Sequence, residues 1–446
     1  MTPILIRLPL LAAAVGACLL DWELEGRPAP DAIRMRRQAI GTTPFGEGNR
    51  WENDVPRGLG TQSGDTVFTH LMNPVEIRTA VDALAEEFNF NIFETPEETH
   101  EGATVFGAKL GASCPRTFLE AGTHGRERGG PDNLVYFIAD LLWAQREGTG
   151  LTYGGRRFTN ADVNKALGTG LIFLPLANPD GMAYDQEMNN CWRRNRNPDG
   201  PVDINRNFDH LWDYKTKFAP ELSGGIASDD PTQQTYHGTE AFSEPESRNL
   251  KWVLDQNPSL TWVMDVHSMA EAVGYSWGDG WNQMSDPDMN GQNPAYDGLR
   301  GIKRDGDATQ YAAYRDPDLW KADAFVAERV ANAMNGAAGP DQVVGLQMIT
   351  MYPTSGDFCN YVSGRGIFNE NLPLAHGLTL EFGRGNNANP TCPFYFAEKE
   401  FNDNVRQSGA AMMEFLLAAA DEGYNGVDAG CGSDSGSDSG SDSGSE

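Results

Sequence analysis

Basic charge is scarce in this chain. Its 446 residues carry 34 Lys and Arg against 63 Asp and Glu, a net charge of −29. A surface of that sign repels phosphate backbones and anionic headgroups, which excludes nucleic acid as a partner. Cysteine is sparse as well, at six residues: Cys18, Cys114, Cys191, Cys359, Cys392 and Cys431. None of these forms a CxxC pair, so a thiolate metal cluster is not expected. A GxSxG elbow is missing, which leaves a serine hydrolase without support. Beyond the first residues, no segment is long and apolar enough to be a membrane helix.

What is present begins with an export signal. Arg7 and the amino terminus precede an apolar stretch, Leu8 to Ala17, too short for a stable bilayer span. Residues 1–17 are therefore expected to be a signal peptide. Val15-Gly16-Ala17-Cys18 resembles a bacterial lipobox, so the protein is expected to be exported. It would be lipid-anchored to the cell envelope through Cys18, or secreted after ordinary cleavage. If Cys18 carries lipid, an odd number of cysteines remains, and one thiol is free or pairs between chains. Residues 18–64 read as an extension rich in Pro, Gly and charge, and 426–446 as a disordered acidic Gly/Ser/Asp tail. A content of 39% hydrophobic residues suffices for a large core, and 65–425 is read as one catalytic domain.

Within that domain, helical and buried-strand patterns alternate. Val75, Ile77, Ala80, Val81, Leu84 and Phe88 share a helical face, and Leu134, Phe137, Ile138, Leu141 and Leu142 share another. Ala103–Leu110, Phe118–Gly122, Leu171–Ala177, Trp262–Val266 and Leu378–Leu380 read as strands. Asn178-Pro179-Asp180-Gly181 reads as a turn, and Ser243-Glu244-Pro245-Glu246 as a capping box opening a helix to about Asp255. The last helix is expected from about Gln407 to Ala420. This pattern predicts an α/β fold: a single domain with a mixed, mostly buried central sheet flanked by helices, and a site at strand ends. The segment from Trp277 to Gly345, with one helix near 320–334, is expected to form an added wall near that site.

Chemistry concentrates at the strand ends. His124-Gly125-Arg126-Glu127 follows a buried strand and aims an imidazole and a carboxylate at one point. These are two ligand types of a zinc site, although alone they could equally be a solvated surface pair. His267, delivered by the next long core strand, is the candidate third ligand. Trp192-Arg193-Arg194-Asn195-Arg196 and Asp203-Ile204-Asn205-Arg206-Asn207 then bring cations together in an otherwise acidic protein.

With Tyr352-Pro353-Thr354-Ser355-Gly356 and Leu378-Thr379-Leu380-Glu381 added, the chain from about Asn73 to Ala420 resembles the zinc carboxypeptidases of the funnelin type, the pancreatic carboxypeptidase A and B family. The motifs HGRE, NPDG, WRRNR, DINRNF, FSEPES, DVHS, YPTSG and LTLEFG occur in the family's order. The resemblance implies one zinc ion held by His124, Glu127 and His267, with Asp203 orienting a ligand imidazole. It implies that Glu381 is the general base toward the metal-activated water and that Arg193 stabilises the oxyanion. Asn205 and Arg206 would hold the substrate's free carboxylate, Arg126 would contact it at the subsite rim, and Tyr352 would close over it. Peptides or proteins with free C-termini are the implied substrates. In the family the bond between the Ser after the third ligand and the next, aromatic residue is typically a cis peptide, so Ser268-Met269 is expected to be cis. Met269, Gly383 and the segment after Trp277 depart from the pancreatic pattern.

Cys359 falls at the family's pocket-floor position. Being neutral, it predicts a preference for apolar or aromatic C-terminal residues. Asp357 turning inward, or a Cys359–Cys392 bridge, would change that expectation. Asp286 to Asp297 matches a calcium loop at its ligand positions, with a plain polar loop as the competing reading. A cell-wall peptide amidase on the same centre, and an inactive protein that binds peptide termini, are the rival functions. The second would require loss of Glu381 or a zinc ligand, and none is lost.

Overall fold

The computed structural model describes residues 45, 48–222, 225–302, 311–339 and 342–423. The expected signal peptide, Cys18 and the tail at 426–446 lie outside the described residues. The strands are β1 (Ile92–Glu98), β2 (Thr104–Leu110), β3 (Thr117–Ala121), β4 (Leu151–Tyr153), β5 (Arg156–Phe158), β6 (Leu171–Leu174), β7 (Trp262–Ser268), β8 (Ala272–Tyr275), β9 (Asn282–Gln283), β10 (Ala313–Tyr314), β11 (Val344–Gln347) and β12 (His376–Phe382). Eight of them form one mixed sheet in the order β1-β2-β6-β3-β7-β12-β8-β11. Its centre, β6-β3-β7-β12, is parallel. All residues of these four strands are buried, which is why they read as apolar runs rather than alternating ones.

Helices cover both faces. On one side lie α2 (Gly130–Glu147), α7 (Pro317–Ala337) and α9 (Glu398–Glu422), packed on Leu119, Trp262, Met264, Val266, Leu378 and Leu380. On the other lie α6 (Pro245–Gln256) and α8 (Phe358–Phe368), packed on Phe118, Ile172 and Val263. Because side chains alternate along a strand, Glu120 of β3, Asp265 and His267 of β7, and Thr379 and Glu381 of β12 share the second face. The first face is mainly apolar there, with Thr117, Ser268 and a His376 paired to Asp323 as its polar members, whereas the carboxylates and His267 lie on the second.

Several local expectations change. α1 (Pro74–Phe88) carries a reciprocal capping box between Asn73 and Glu76, and Val75 is exposed rather than on the buried face. Asn178-Pro179-Asp180-Gly181 is not a free turn but the start of α4 (Pro179–Met188), with the Asn178 side chain accepting from Gly181 N. α6 begins at Pro245 after Glu244, without a side-chain cap. Ser243 Oγ donates instead to Glu244 Oε1, so the expected capping box does not form. α9 starts nine residues earlier than expected, since Phe401 and Val405 continue its buried stripe. The extension before residue 65 is anchored to the body. Buried Asp140 accepts from Gly60 N, Thr61 N and Thr61 Oγ1, and buried Glu76 pairs with Arg50.

The calcium loop is not formed. Asp297, its twelfth residue, ion-pairs with Lys217 and Arg300, and Asp286 and Asn290 spend side-chain oxygens on Asp288 N and Gln292 N. Two cations on the closing carboxylate oppose a divalent ion. The 277–345 segment adds the two-stranded β9-β10 sheet, α7 and the edge strand β11. No described helix is long and apolar enough to cross a membrane.

Candidate metal centre and active site

The turn after β3 is fixed by backbone packing. A Cβ on Gly125 would come within 2.3 Å of the Gly181 carbonyl oxygen, so the His124–Glu127 turn can rest on the start of α4 only with glycine there. Asn178 Nδ2 donates to the carbonyls of Thr123 and Arg194, and Gly125 N donates to the Arg193 carbonyl. The HGRE, NPDG and WRRNR motifs thus form one unit. A disulfide between Cys191 and Cys392 pins the same segment from the other side. It rules out the Cys359–Cys392 bridge, and Cys359 is a free buried thiol.

Glu127 is the hub. Its Oε1 lies 2.6 Å from His124 Nδ1 and its Oε2 lies 2.8 Å from His267 Nδ1. The three residues are buried, and one ligand atom from each lies within 4.8 Å of the others. Two Nδ1 atoms and a carboxylate are a donor set suited to zinc, as His and Glu ligands that leave one position open. The remaining imidazole nitrogens also face carboxylates. His124 Nε2 is 3.1 Å from Asp203 Oδ1, and His267 Nε2 is 2.7 Å from Asp265 Oδ2. Each imidazole therefore has an outer partner that fixes ring orientation and keeps Nδ1 turned inward, as metal-binding histidines require.

The charges are mutually dependent. Burial works to raise the Asp203 carboxyl, but the Arg193 guanidinium and His124 outweigh it and hold it well below the usual carboxylate range. Burial likewise opposes ionisation of Glu127, and His124 and His267 overcome it. Burial opposes the charged form of His267 as well, yet Asp265 and Glu127 raise it well above the ordinary imidazole value. Behind Asp265 lies Glu120, its register partner on β3, whose carboxyl is pushed far up by burial and by the Asp265 charge. Sequence reasoning missed both groups. Asp265 had a signal, since two residues before His267 on a strand places it on the same face.

The other candidates gather around this centre. Glu381 is buried at the end of β12, beside His267. Arg193 Nε donates to Asp203 Oδ2 at 2.9 Å, so one carboxylate serves both His124 and Arg193. Asn205 Nδ2 is 3.2 Å from His267 Nε2, while its Oδ1 accepts from Phe358 N. Arg206 is buried; its Nε and Nη1 donate to the carbonyls of Ile226 and Asn205, and its Nη2 has no hydrogen-bond partner among the described residues. Its guanidinium carbon sits 5.8 Å from the centre of the nearly buried Tyr352 ring. Arg126 is fully buried over Phe394, at 4.3 Å, rather than at an exposed rim. Cys359 is fully buried, and burial pushes its thiol pKa well up, with Thr379 beside it. Asp357 does not turn inward as a free anion. It caps α8 through Asn360 N and accepts from Thr354 Oγ1 and Asn360 Nδ2. Ser268–Met269 is cis, as the resemblance implies, and Ser276–Trp277 is cis too.

A mixed eight-stranded sheet thus carries at its strand ends a His-Glu-His group that could hold a metal ion. The family model for zinc carboxypeptidases matches residues 93–407, and the chain belongs to that family. It is 32% identical over 213 residues to the zinc carboxypeptidase A 1 of Anopheles gambiae, covering 46% of this chain and 43% of that protein. It is 28% identical over 264 residues to the carboxypeptidase B of Astacus astacus, covering 55% and 79% respectively. The match thus spans less than half of the mosquito protein's length. Among solved structures, carboxypeptidase A from Helicoverpa armigera shares the fold, with a TM-score of 0.57 at 18% identity over 79% of this chain and 74% of that one.

Proposed function

We propose that the protein is a zinc-dependent exopeptidase that hydrolyses the C-terminal peptide bond of peptides or proteins. The observation that carries this reading is the convergence of His124 Nδ1 and His267 Nδ1 on the two oxygens of Glu127, with Glu381 beside His267. His124, Glu127 and His267 would hold a zinc ion, which when bound would supply Lewis acidity toward a carbonyl oxygen and a water. Asp203 and Asp265 hold the two imidazoles in the orientation that leaves Nδ1 for the metal. Glu381 takes the proton of the attacking water and returns it to the leaving amine. Arg193 donates to the negative charge that develops on the carbonyl oxygen, and its bond to Asp203 keeps it in position. Arg206, with a buried Nη2 that makes no hydrogen bond among the described residues, and Asn205 receive the substrate's terminal carboxylate. Arg126 adds positive charge to the same region, and Tyr352 covers the bound terminus.

The preference is for apolar or aromatic C-terminal residues, supported by the neutral Cys359 and by an Asp357 committed to capping α8. Export agrees with the Cys191–Cys392 disulfide, a bond that persists in oxidising compartments. The deciding experiment is a peptidase assay on N-blocked dipeptides, with and without a chelator. Release of the C-terminal amino acid that stops on chelation and returns with zinc is the expected result; chelator-resistant release or none would sink the reading.

A further inference from the structure

A second group of ligating side chains lies away from the catalytic centre. His100, in the turn between β1 and β2, reaches solvent, while Glu244 and Glu246 at the start of α6 are buried. One ligand atom from each lies within 4.8 Å of the others. His100 Nε2 is 2.9 Å from Glu244 Oε2. Asn195 Nδ2 donates to both carboxylates, at 2.7 Å to Glu244 Oε2 and 3.1 Å to Glu246 Oε2. Among the described residues neither glutamate is ion-paired with a lysine or arginine.

Glu246 supplies an independent observation. It is fully buried, and its Oε1 has no hydrogen-bond partner among the described residues. A buried carboxylate oxygen without a donor costs free energy that its surroundings normally relieve. Among the described residues no donor reaches Oε1, and burial, against the Asn195 amide and the Glu246 backbone N–H, pushes the carboxyl pKa up to about 8. Glu244 also accepts from Ser243 Oγ and Asn197 Nδ2, so the shortfall falls on Glu246, whose Oε2 takes one bond from the Asn195 amide.

We infer that His100, Glu244 and Glu246 form a second divalent-cation site, distinct from the catalytic centre. One imidazole nitrogen and two carboxylates favour a first-row transition ion such as zinc over calcium, which takes oxygen ligands alone. Entry is from the His100 side, the one solvent-facing ligand. The site also bears on the catalytic loop. Asn195 lies two residues after Arg193, and its Oδ1 accepts from Val202 N, next to Asp203. A cation here would neutralise the carboxylates that Asn195 now bridges and would brace the segment carrying Arg193 and Asp203.

The test is metal counting on the full chain. Protein stripped with a chelator is reloaded with Zn2+ alone, desalted, and analysed for zinc per chain. Two equivalents are expected for the wild type and one each for His100→Ala and Glu246→Gln. His124→Ala should also retain one, and the His100→Ala/His124→Ala double variant none. Glu246→Gln keeps size and shape, and His100 is at the surface, so circular dichroism should confirm folding in both. A single equivalent in the wild type that disappears in His124→Ala would overturn the site. So would two equivalents that both survive His100→Ala. Either result leaves the catalytic reading intact, because that reading depends on the equivalent lost with His124.

Discussion

Glu381 and His267 are register partners on adjacent parallel strands, β12 and β7, so a carboxylate stands beside an imidazole of the proposed metal centre at the same height in the sheet. That relationship separates metal binding from proton transfer, because Glu381 is near the centre without being one of its three converging ligands. Glu381→Gln is expected to hold zinc at wild-type stoichiometry while losing on the order of 10²–10⁴-fold in kcat, the usual contribution of a positioned general base. Glu127→Ala, which removes the hub, is expected to lose the metal itself. Zinc analysis and kcat measured on the same preparations check both; near-normal turnover in Glu381→Gln would remove its assigned role.

Asp203 accepts from His124 through one oxygen and from Arg193 through the other. Its loss should therefore have two effects. Asp203→Asn is expected to weaken zinc affinity by about 10–100-fold, as outer partners of ligating histidines generally do. It should also lower kcat at saturating zinc, because Arg193 loses its anchor. Asp265→Asn should weaken the metal without that second loss. Metal titration followed by kinetics at saturating zinc distinguishes the two variants, and identical behaviour would contradict the shared-carboxylate role.

Buried acids set a pH dependence of stability. Burial pushes Asp132 of α2 up to about 7, with Met72 N and Arg50 working in the opposite direction. Burial similarly pushes Asp140 up to about 6 despite donors from Thr61 and Gly60. A folded pKa above the unfolded one means that the folded state binds more protons. Stability is then full below the unfolded value near 4 and falls as pH rises through 6 to 7. At constant zinc, Tm is expected to drop between about pH 5 and pH 8, and Asp132→Asn should flatten that drop. A wild-type Tm that rose over this range would refute the assignment.

The substrate's terminus offers a direct test of Arg206. A buried guanidinium with an uncommitted Nη2 suits one carboxylate, so amidated peptides should be cleaved far more slowly than free acids. Losing one partner of a buried charged pair costs about 2–5 kcal/mol, well over tenfold in kcat/KM. Arg206→Ala should remove most of the difference between amidated and free substrates. Equal cleavage of both by the wild type would point to an endopeptidase or amidase.

The legible parts of this chain were those where a buried strand ends in chemistry. β3, β7 and β12 are fully buried and carry mostly apolar residues on one face, and they lead to His124, His267 and Glu381 at or just beyond their ends. The edge strands β1 and β11 were not legible, because half-exposed positions with mixed polarity carry no period to read. Asp265 and Glu120 were hidden inside runs that read as core, their charge made tolerable by His267 and by protonation. The 201-residue span between Cys191 and Cys392 has no local signature at all. The turn reading of Asn178–Gly181 failed because the asparagine caps a helix and clamps two other motifs at once.

Specificity is the furthest-reaching expectation. A pocket that takes Lys or Arg needs an anion that a buried cation can reach, whereas an apolar side chain needs only uncharged walls. Cys359 provides no anion, since burial keeps its thiol protonated. Asp357 is two residues away but is engaged with Asn360 and Thr354, so turning inward would uncap α8 and break three hydrogen bonds. Substrates that differ only in the last residue, ending in Phe, Leu, Arg or Glu, should therefore rank with Phe and Leu ahead. Cys359→Asp is expected to shift the preference toward Arg by giving the pocket its missing charge. If wild-type enzyme cleaves the Arg substrate fastest, the pocket has another anion and Cys359 is not its floor. If Cys359→Asp folds with normal zinc content yet leaves the ranking unchanged, the thiol faces away from the substrate.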